Sequence, residues 1–154
     1  MDNQSPTANR EIVTERVIDA LCEVVWNAWV DRKSVDSWWG PKGFTTTTEE
    51  MDVRQGGCWR YIMHSIDGID FKNYITYLEV IKPKSIVYHH GVTENDTDGF
   101  HVTVTFDDIN GKTRVVMVQV FPSEEDRDHA VNILGAVEGG KQTLERLALL
   151  VEMK

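Results

Sequence analysis

The sequence predicts an α+β fold in which a curved antiparallel sheet packs against a long C-terminal helix. Its 154 residues are enough for one domain with a sizeable core. From Phe44 to Phe121, apolar and polar residues alternate in short runs separated by turn signals, as in a meander of strands. Beyond Ser123, apolar residues recur at helical spacing. Sheet and helix therefore form two layers of one domain.

The N-terminal third predicts one strand and two short helices. Residues 1–10 are polar and are expected to be a flexible lead-in, so the domain is placed at residues 11–154. Residues 11–18 alternate and are rich in β-branched side chains, which predicts a strand. Asp19 stands where a helix N-cap would, ahead of a helix over 20–30. A second helix over 31–38 ends at Gly40-Pro41, because proline is poorly tolerated inside helices.

The middle of the chain predicts six further strands joined by tight turns. Asp67-Gly68 and Asn110-Gly111 are strong two-residue hairpin signals, and Gly56-Gly57 provides a third turn. Residues 100–106 alternate cleanly, with Phe100 to Phe106 on one face and His101 to Thr105 on the other. The predicted strands cover residues 44–53, 58–66, 70–81, 85–92, 100–106 and 112–121.

The C-terminal segment predicts a helix with one interruption. Pro122 closes the last strand, and Ser123 followed by acidic residues is typical of a helix start. Gly135, Gly139 and Gly140 interrupt the helical pattern, and each glycine costs roughly 1 kcal/mol relative to alanine. We therefore expect a break, or a close approach to another element, near residues 135–140.

Composition excludes several classes of partner. The chain has 16 Lys and Arg against 25 Asp and Glu, a net charge of −9 that repels nucleic acid and anionic membranes. No run approaches the roughly 20 apolar residues of a membrane span, and the polar N-terminus lacks the apolar core of a signal peptide. Cys22 and Cys58 lack CxxC spacing and are expected to be buried free thiols. These features predict a cytoplasmic protein.

Sequence motifs for metals and cofactors are weak. His89 and His90 are adjacent in a predicted strand, so they point to opposite faces and cannot readily share an ion. The Glu94–Asp98 loop has the start of a calcium loop but has Thr105 where the bidentate glutamate is required. No phosphate-binding, dinucleotide-binding or GxSxG motif occurs in the chain. We therefore predict no metal and no cofactor.

The predicted layers leave room for a cavity. A strongly curved sheet cannot contact a straight helix along its whole width, and an apolar gap between them can bind small molecules. The Trp38-Trp39 pair fits this arrangement as a plug between the second helix and the sheet, guarding one end of the cavity. The residues expected to bind a ligand are Trp38, Trp39, Trp59, Tyr61, Met63, Tyr74, Val104, Phe106 and Gly140.

Five segments carry a family resemblance: Val25-Trp26 with Ala28-Trp29, WWGPKGF, GGCWRY, YLEVIKPKSIVY, and FPSEEDR with EGGKQTLERL. In this order and spacing, they resemble one known family over nearly the whole chain from Glu11 onwards. It comprises the standalone prokaryotic homologues of the activator of the heat shock protein 90 ATPase, in the START-like (SRPBCC) superfamily. The resemblance implies a helix-grip fold, in which the sheet wraps the last helix around a cavity.

The chain departs from the family pattern at several places. The family often reads PGG where this chain has Gln55-Gly56-Gly57, and often carries an aromatic residue where this chain has Gly140. Gly140 is expected to lie opposite Trp59 and Tyr61 and to enlarge the cavity beside the last helix. The chain also lacks the additional N-terminal domain of the eukaryotic activator, which weakens the case for chaperone stimulation.

Three functions are compatible with the sequence. The first is a non-enzymatic binding module for a small hydrophobic or aromatic molecule. The second is a co-chaperone-like protein with a chaperone as its partner, as the family name implies. The third is a polyketide cyclase-like enzyme that uses the same fold. A polar pair inside the cavity would favour the enzyme, whereas an exposed patch on an otherwise closed domain would favour the chaperone partner.

Overall fold

A computed structural model describes residues 6–94, 96 and 98–152, and its helices and strands follow the predicted order. Seven strands form one antiparallel sheet, and the long C-terminal helix packs across it. The predicted helix-grip class is confirmed. The strands are β1 (Glu11–Ile18), β2 (Thr45–Met51), β3 (Cys58–His64), β4 (Asp70–Ile81), β5 (Ser85–Gly91), β6 (Phe100–Ile109) and β7 (Lys112–Val120). The helices are α1 (Cys22–Val30), α2 (Arg32–Trp38), α3 (Glu124–Asn132) and α4 (Ala136–Glu152).

Strand order and two bulges shape the sheet. The order is β1-β7-β6-β5-β4-β3-β2, so the first strand pairs with the last and every other neighbour is a hairpin partner. The register shifts between Thr48 and Glu50 in β2, and between Tyr77 and Glu79 in β4. Bulges of this kind bend a strand and increase its twist. They help the sheet curve around α4.

The predicted lead-in over residues 1–10 lies partly outside the described residues. Ala8–Arg10 form a short 3-10 helix. Arg10 Nη1 donates to the Phe121 carbonyl at 2.7 Å, and the Phe121 N–H donates to the Arg10 carbonyl at 2.9 Å. These residues are therefore tied to the end of β7, while the domain boundary at residue 11 stays a prediction.

The start of α1 differs from the prediction. Asp19 is not its N-cap, because α1 begins at Cys22 with Leu21 in the cap position and no side-chain cap bond. The chain first turns at Asp19, whose N–H donates to Glu152 Oε2 at 2.9 Å, at the end of α4. By contrast, Asp31 caps α2 by accepting from the Ser34 N–H at 3.0 Å.

The C-terminal segment contains both the predicted break and a close approach. Ser123 caps α3 as predicted, accepting from the Asp126 N–H at 3.0 Å. The break falls between α3 and α4, where Gly135 has φ +65°, a conformation that glycine adopts without strain. Gly139 and Gly140 lie inside α4. A Cβ atom at Gly140 would stand 2.8 Å from Thr14 Oγ1, so α4 approaches β1 closely there.

The Trp38-Trp39 pair is core structure at the junction of α1, α2 and β3. Trp38 is 1% exposed and Trp39 is 7% exposed. The Trp38 indole N–H donates to the Ala28 carbonyl at 2.9 Å, and the Trp39 N–H donates to Tyr61 Oη at 2.9 Å. The Trp29 ring meets both indoles edge to face, at centroid distances of 4.9 and 5.4 Å, a favourable aromatic geometry.

Arg146 on α4 holds the irregular segment that follows the tryptophan pair. Its Nη1 atom donates to the carbonyl of Gly40 at 2.8 Å and lies 3.2–3.3 Å from three further carbonyl oxygens of the 39–44 segment. Its Nη2 atom donates to the Ser37 carbonyl at 3.2 Å. Burial lowers the pKa of Arg146 from its usual value. One guanidinium therefore provides hydrogen bonds to backbone carbonyls around Gly40-Pro41 that have no partner in a helix or strand.

Candidate functional site

A cavity of about 210 Å³ lies between the N-terminal half of α4 and the concave face of the sheet. The α3–α4 corner borders it at Leu134, a side chain that is 68% exposed. The lining combines aromatic and methionine side chains with a few uncharged polar groups. Its residues are Trp39, Gly40, Pro41, Tyr61, Met63, Asn73, Tyr88, His90, Met117, Gln119, Leu134, Gly135, Ala136, Gly139, Gly140 and Thr143.

The predicted binding residues divide into cavity wall and core. Those that line the cavity are Trp39, Tyr61, Met63 and Gly140. Those buried in the core away from it are Trp38, Trp59, Val104 and Phe106. Trp59 stacks on Tyr61 at 4.2 Å between ring centroids, and its indole N–H donates to Thr48 Oγ1 at 3.0 Å. Phe106 packs edge to face against Trp26 at 5.5 Å. The space between α1 and the sheet is therefore filled by the protein's own side chains.

Tyr74 lies on the opposite face of the sheet from the cavity. Its strand neighbours Asn73 and Ile75 face inward, and alternation then turns Tyr74 outward. Its partner there is Cys58, and hydrogen bonding to Cys58, followed by burial, raises the pKa of Tyr74 to about 12. Because β4 carries aromatic residues on both faces, its sequence pattern could not decide which of them point inward.

Gly140 does line the cavity, but it faces Thr14 of β1 rather than Trp59 and Tyr61. A side chain at this position would collide with Thr14 Oγ1, which stands 2.8 Å from the ideal Cβ position. At Gly139, which lines the same cavity, a Cβ atom would meet only Pro41 Cβ, at 3.8 Å. Gly139 is therefore the helix position from which an added side chain has the space to enter the cavity.

A chain of hydrogen-bonding groups runs along one cavity wall. The Trp39 N–H donates to Tyr61 Oη at 2.9 Å, and Tyr61 Oη stands 3.3 Å from His90 Nε2. His90 Nε2 lies 2.8 Å from Asn73 Oδ1, and Asn73 Nδ2 donates to the Phe71 carbonyl at 3.0 Å. Strands β3, β4 and β5 are adjacent in the sheet, so these inward-facing side chains meet.

The two titratable side chains in this series of hydrogen bonds, His90 and Tyr61, are uncharged near pH 7. Burial, aided by the charge of His89 and opposed by that of Asp96, lowers the pKa of His90 to about 4. Burial, aided by Tyr88, raises the pKa of Tyr61 well above its usual value. The cavity therefore offers neutral hydrogen-bonding groups in place of charges.

Gln119 contributes a second polar group to the cavity wall. Its Oε1 atom is buried and has no hydrogen-bond partner in the described part of the chain. A buried polar atom left in this state costs about 1–3 kcal/mol. The core retains the amide despite that cost, which fits a group that meets a ligand.

Most of the chain matches one known protein family. The family described as activator of Hsp90 ATPase homolog 1-like protein matches residues 19–152. The chain belongs to this family. The fold of this chain is shared with a protein of Nitrosomonas europaea, at 19% identity over 95% of this chain and 96% of that chain, with a TM-score of 0.87. It is also shared with a protein of Chromobacterium violaceum, at 25% identity over 92% of this chain and 97% of that chain, with a TM-score of 0.80. An AHSA1-like protein of Aeromonas hydrophila is similar at 25% identity over 93% of this chain and 92% of that chain, with a TM-score of 0.73. No curated protein matches. The predicted family is confirmed.

His90, Asn73 and Gln119 were not predicted as site residues in this family member. His90 was weighed only as a metal ligand beside His89, although the prediction that the two point to opposite faces is correct. His89 lies across from His101 on the outer face, with ring centroids 5.5 Å apart. Alternation carried the missing signal, because Tyr88 and His90 continue one inner row and Met117 and Gln119 another.

The other sequence features of this family member have structural partners. Asp96 accepts from the N–H groups of Val92 and Asp98, at 2.8 and 2.7 Å, and organises its loop. Within residues 6–94, 96 and 98–152, no cluster of three or more metal-ligating side chains occurs. In the same ranges, no helix is long and apolar enough to cross a membrane. Cys22 and Cys58 are free thiols and are half-buried rather than fully buried.

Replacing Gln119 by leucine is expected to raise the free energy of unfolding by about 1 kcal/mol, because it removes the unpartnered amide. Urea denaturation at constant m-value measures the change. The matched control is Gln55→Leu in the exposed β2–β3 turn, which should stay within about 0.5 kcal/mol of the parent. An unchanged or lower stability for Gln119→Leu would mean that the amide already has a partner, such as a bound water.

Proposed function

We propose that this family member binds a small, largely apolar molecule in the cavity between α4 and the sheet. The observation that carries the proposal is a space of about 210 Å³ with an unpartnered amide on its wall. Pockets for drug-sized ligands occupy roughly 300–1,000 Å³. The expected ligand is therefore smaller than a typical drug.

The apolar part of the wall supports binding by the hydrophobic effect. Trp39, Tyr88 and Met117 are nearly fully buried, and Met63 is half-buried. Transfer of apolar surface from water into such a site is favourable by roughly 25 cal/mol per Å². Methionine is flexible and adapts to differently shaped ligands. These walls support binding of a compact aromatic or aliphatic body.

The hydrogen-bonded chain is the observation that favours the alternative, a polyketide cyclase-like enzyme. Proton transfer is most efficient when the pKa of the catalytic group lies near the working pH. In this cavity the pKa of His90 falls to about 4, and that of Tyr61 rises well above its usual value. Both shifts move the pKa values away from pH 7, which favours ligand recognition over acid–base catalysis.

The chaperone partner implied by the family name has weaker support. The β3–β4 hairpin exposes apolar side chains, with Ile66 at 85%, Ile69 at 54% and Phe71 at 45% exposure. An exposed patch favours a protein partner most strongly when the domain is otherwise closed. Because this domain has a cavity between α4 and the sheet, small-molecule binding ranks first.

Filling the cavity from Gly139 tests the proposal. Isopropylbenzene should quench or shift the tryptophan fluorescence of the parent with micromolar or weaker affinity, since Trp39 lines the cavity. Gly139→Phe places an aromatic ring in the same space and should abolish the response. Gly139→Ala is the matched control. It should keep the response and gain up to roughly 1 kcal/mol of stability from helix propensity.

Two results would contradict small-molecule binding at this cavity. The first is a parent protein that shows no saturable response to isopropylbenzene. The second is a folded Gly139→Phe variant that binds isopropylbenzene as tightly as the parent. Gly139→Leu, which adds less volume, replaces Gly139→Phe if a lowered melting temperature shows that phenylalanine overpacks the core.

A further inference from the structure

We propose that the cavity selects an uncharged ligand with a carbonyl-type oxygen, and that the Tyr61 hydroxyl donates a hydrogen bond to that oxygen. The inference rests on the proposed function, because it names the ligand class of the same cavity. It follows from three properties of the wall: the proton arrangement of His90, the unused hydrogen of Tyr61, and the absence of ionised side chains from the lining.

Asn73 determines which nitrogen of His90 carries the hydrogen. Its Nδ2 group donates to the Phe71 carbonyl at 3.0 Å, which turns Oδ1 towards His90. Oδ1 can only accept a hydrogen bond, and it lies 2.8 Å from His90 Nε2. Nε2 must therefore carry the hydrogen. With the pKa of His90 lowered to about 4, the neutral ring keeps this single hydrogen at pH 7.

Within the part of the chain that the structure describes, the hydroxyl hydrogen of Tyr61 is then left without an acceptor. A protonated His90 Nε2 cannot accept from Tyr61 Oη, although the two atoms are 3.3 Å apart. The Trp39 N–H already donates to the same oxygen at 2.9 Å, and this bond uses a lone pair and not the hydrogen. Tyr61 is 1% exposed and lines the cavity. A buried O–H group in this position is completed by an acceptor oxygen on a ligand.

The charge of the wall defines the rest of the ligand class. Among the described residues, those that line the cavity include no Asp, Glu, Lys or Arg. Arg146 is not a lining residue, and its guanidinium donates to the backbone carbonyls of Gly40 and Pro41. A carboxylate or ammonium group in the cavity would lose its hydration without gaining a counter-charge. Gln119 adds a second neutral polar contact. A ketone, an amide or a similar neutral carbonyl compound fits these conditions.

Three probes of closely similar size test the inference by calorimetric titration at pH 7. Acetophenone carries the neutral carbonyl, isopropylbenzene replaces it with carbon, and benzoate adds a charge. We expect Tyr61→Phe to weaken acetophenone binding about tenfold, the value of one hydrogen bond. It should change isopropylbenzene binding by less than about twofold, because that probe makes no hydrogen bond. Benzoate should bind the parent at least about tenfold more weakly than acetophenone does.

A second measurement does not depend on the variant. Tyr61→Phe leaves the Trp39 N–H without its acceptor and is therefore expected to be less stable than the parent. Infrared spectroscopy of carbonyl-labelled acetophenone bound to the parent reports the same contact. The carbonyl stretch should lie at lower frequency than in an apolar solvent, as for a carbonyl that accepts a hydrogen bond.

The outcomes separate this inference from the proposed function. If isopropylbenzene binds, but Tyr61→Phe weakens both neutral probes equally or neither of them, the carbonyl contact is wrong and the cavity still binds apolar molecules. An unshifted carbonyl stretch has the same meaning. Benzoate binding as tight as that of acetophenone overturns the selection for neutral ligands. If none of the probes binds, both the inference and the proposed function fail.

Discussion

Replacing Arg146 by methionine is expected to lower the free energy of unfolding by about 2–4 kcal/mol. The guanidinium of Arg146 donates to several carbonyl oxygens between Ser37 and Phe44, the closest being that of Gly40 at 2.8 Å. Methionine keeps much of the apolar stem but supplies no donor. Several part-buried carbonyls would then lose their charge-assisted partner at once. Urea or thermal denaturation measures the change.

Arg114→Met is the matched control for this substitution. Arg114 bonds to Glu15 at 2.6 Å, but both side chains are about half exposed. Exposed ion pairs contribute little because water and salt screen them, so this variant should keep nearly the stability of the parent. Arg146→Lys is expected to recover only part of the loss, because a single ammonium cannot reach so many carbonyls. Equal stability of the Arg146→Met and Arg114→Met variants would show that the carbonyls do not depend on Arg146.

Acidification from pH 7 to pH 4 is expected to remove about 3 kcal/mol of stability through His90 alone. The folded pKa of His90 is lowered to about 4, against 6.5 for the ordinary side chain. As the pH falls below 6.5, the unfolded chain takes up a proton that the folded protein does not. The stability that the neutral His90 side chain contributes is therefore fully present above about pH 6.5, and it is lost progressively as the pH falls to about 4.

His90→Gln isolates this contribution from that of the carboxylates, which also titrate in acid. Glutamine places a neutral amide near the position of Nε2 and cannot take up a proton. The parent should lose more stability than the variant between pH 6.5 and pH 4 in urea titrations at each pH. His101→Gln, on the exposed side of β6, is the matched control for the loss of one histidine. Parallel curves for parent and His90→Gln would contradict the buried neutral imidazole.

The aromatic residues show how far sequence reasoning reached into the site. Alternation within β3 predicts that Trp59, Tyr61 and Met63 share one face, and the structure shows that this face points inward. In β4 alternation places Tyr74 on the face opposite to Asn73 and Ile75, but aromatic side chains occur on both faces, so the sequence did not show which face points inward. Alternation orders the residues of one strand, but it does not say which of them reach empty space.

The sequence by itself determined the element types, their order and the family, because these depend on local periodicity, turn residues and motif order along the chain. Tertiary structure decided which residues meet. The contact from Arg146 to the Gly40-Pro41 turn joins elements far apart in sequence, and the contact from His90 to Asn73 depends on the register between β4 and β5. The packing of α4 on β1 brings Gly140 against Thr14, whereas a Cβ atom at Gly139 would meet only Pro41. No periodicity within a single segment records the distance between two elements, so only the folded chain could locate the cavity and its polar wall.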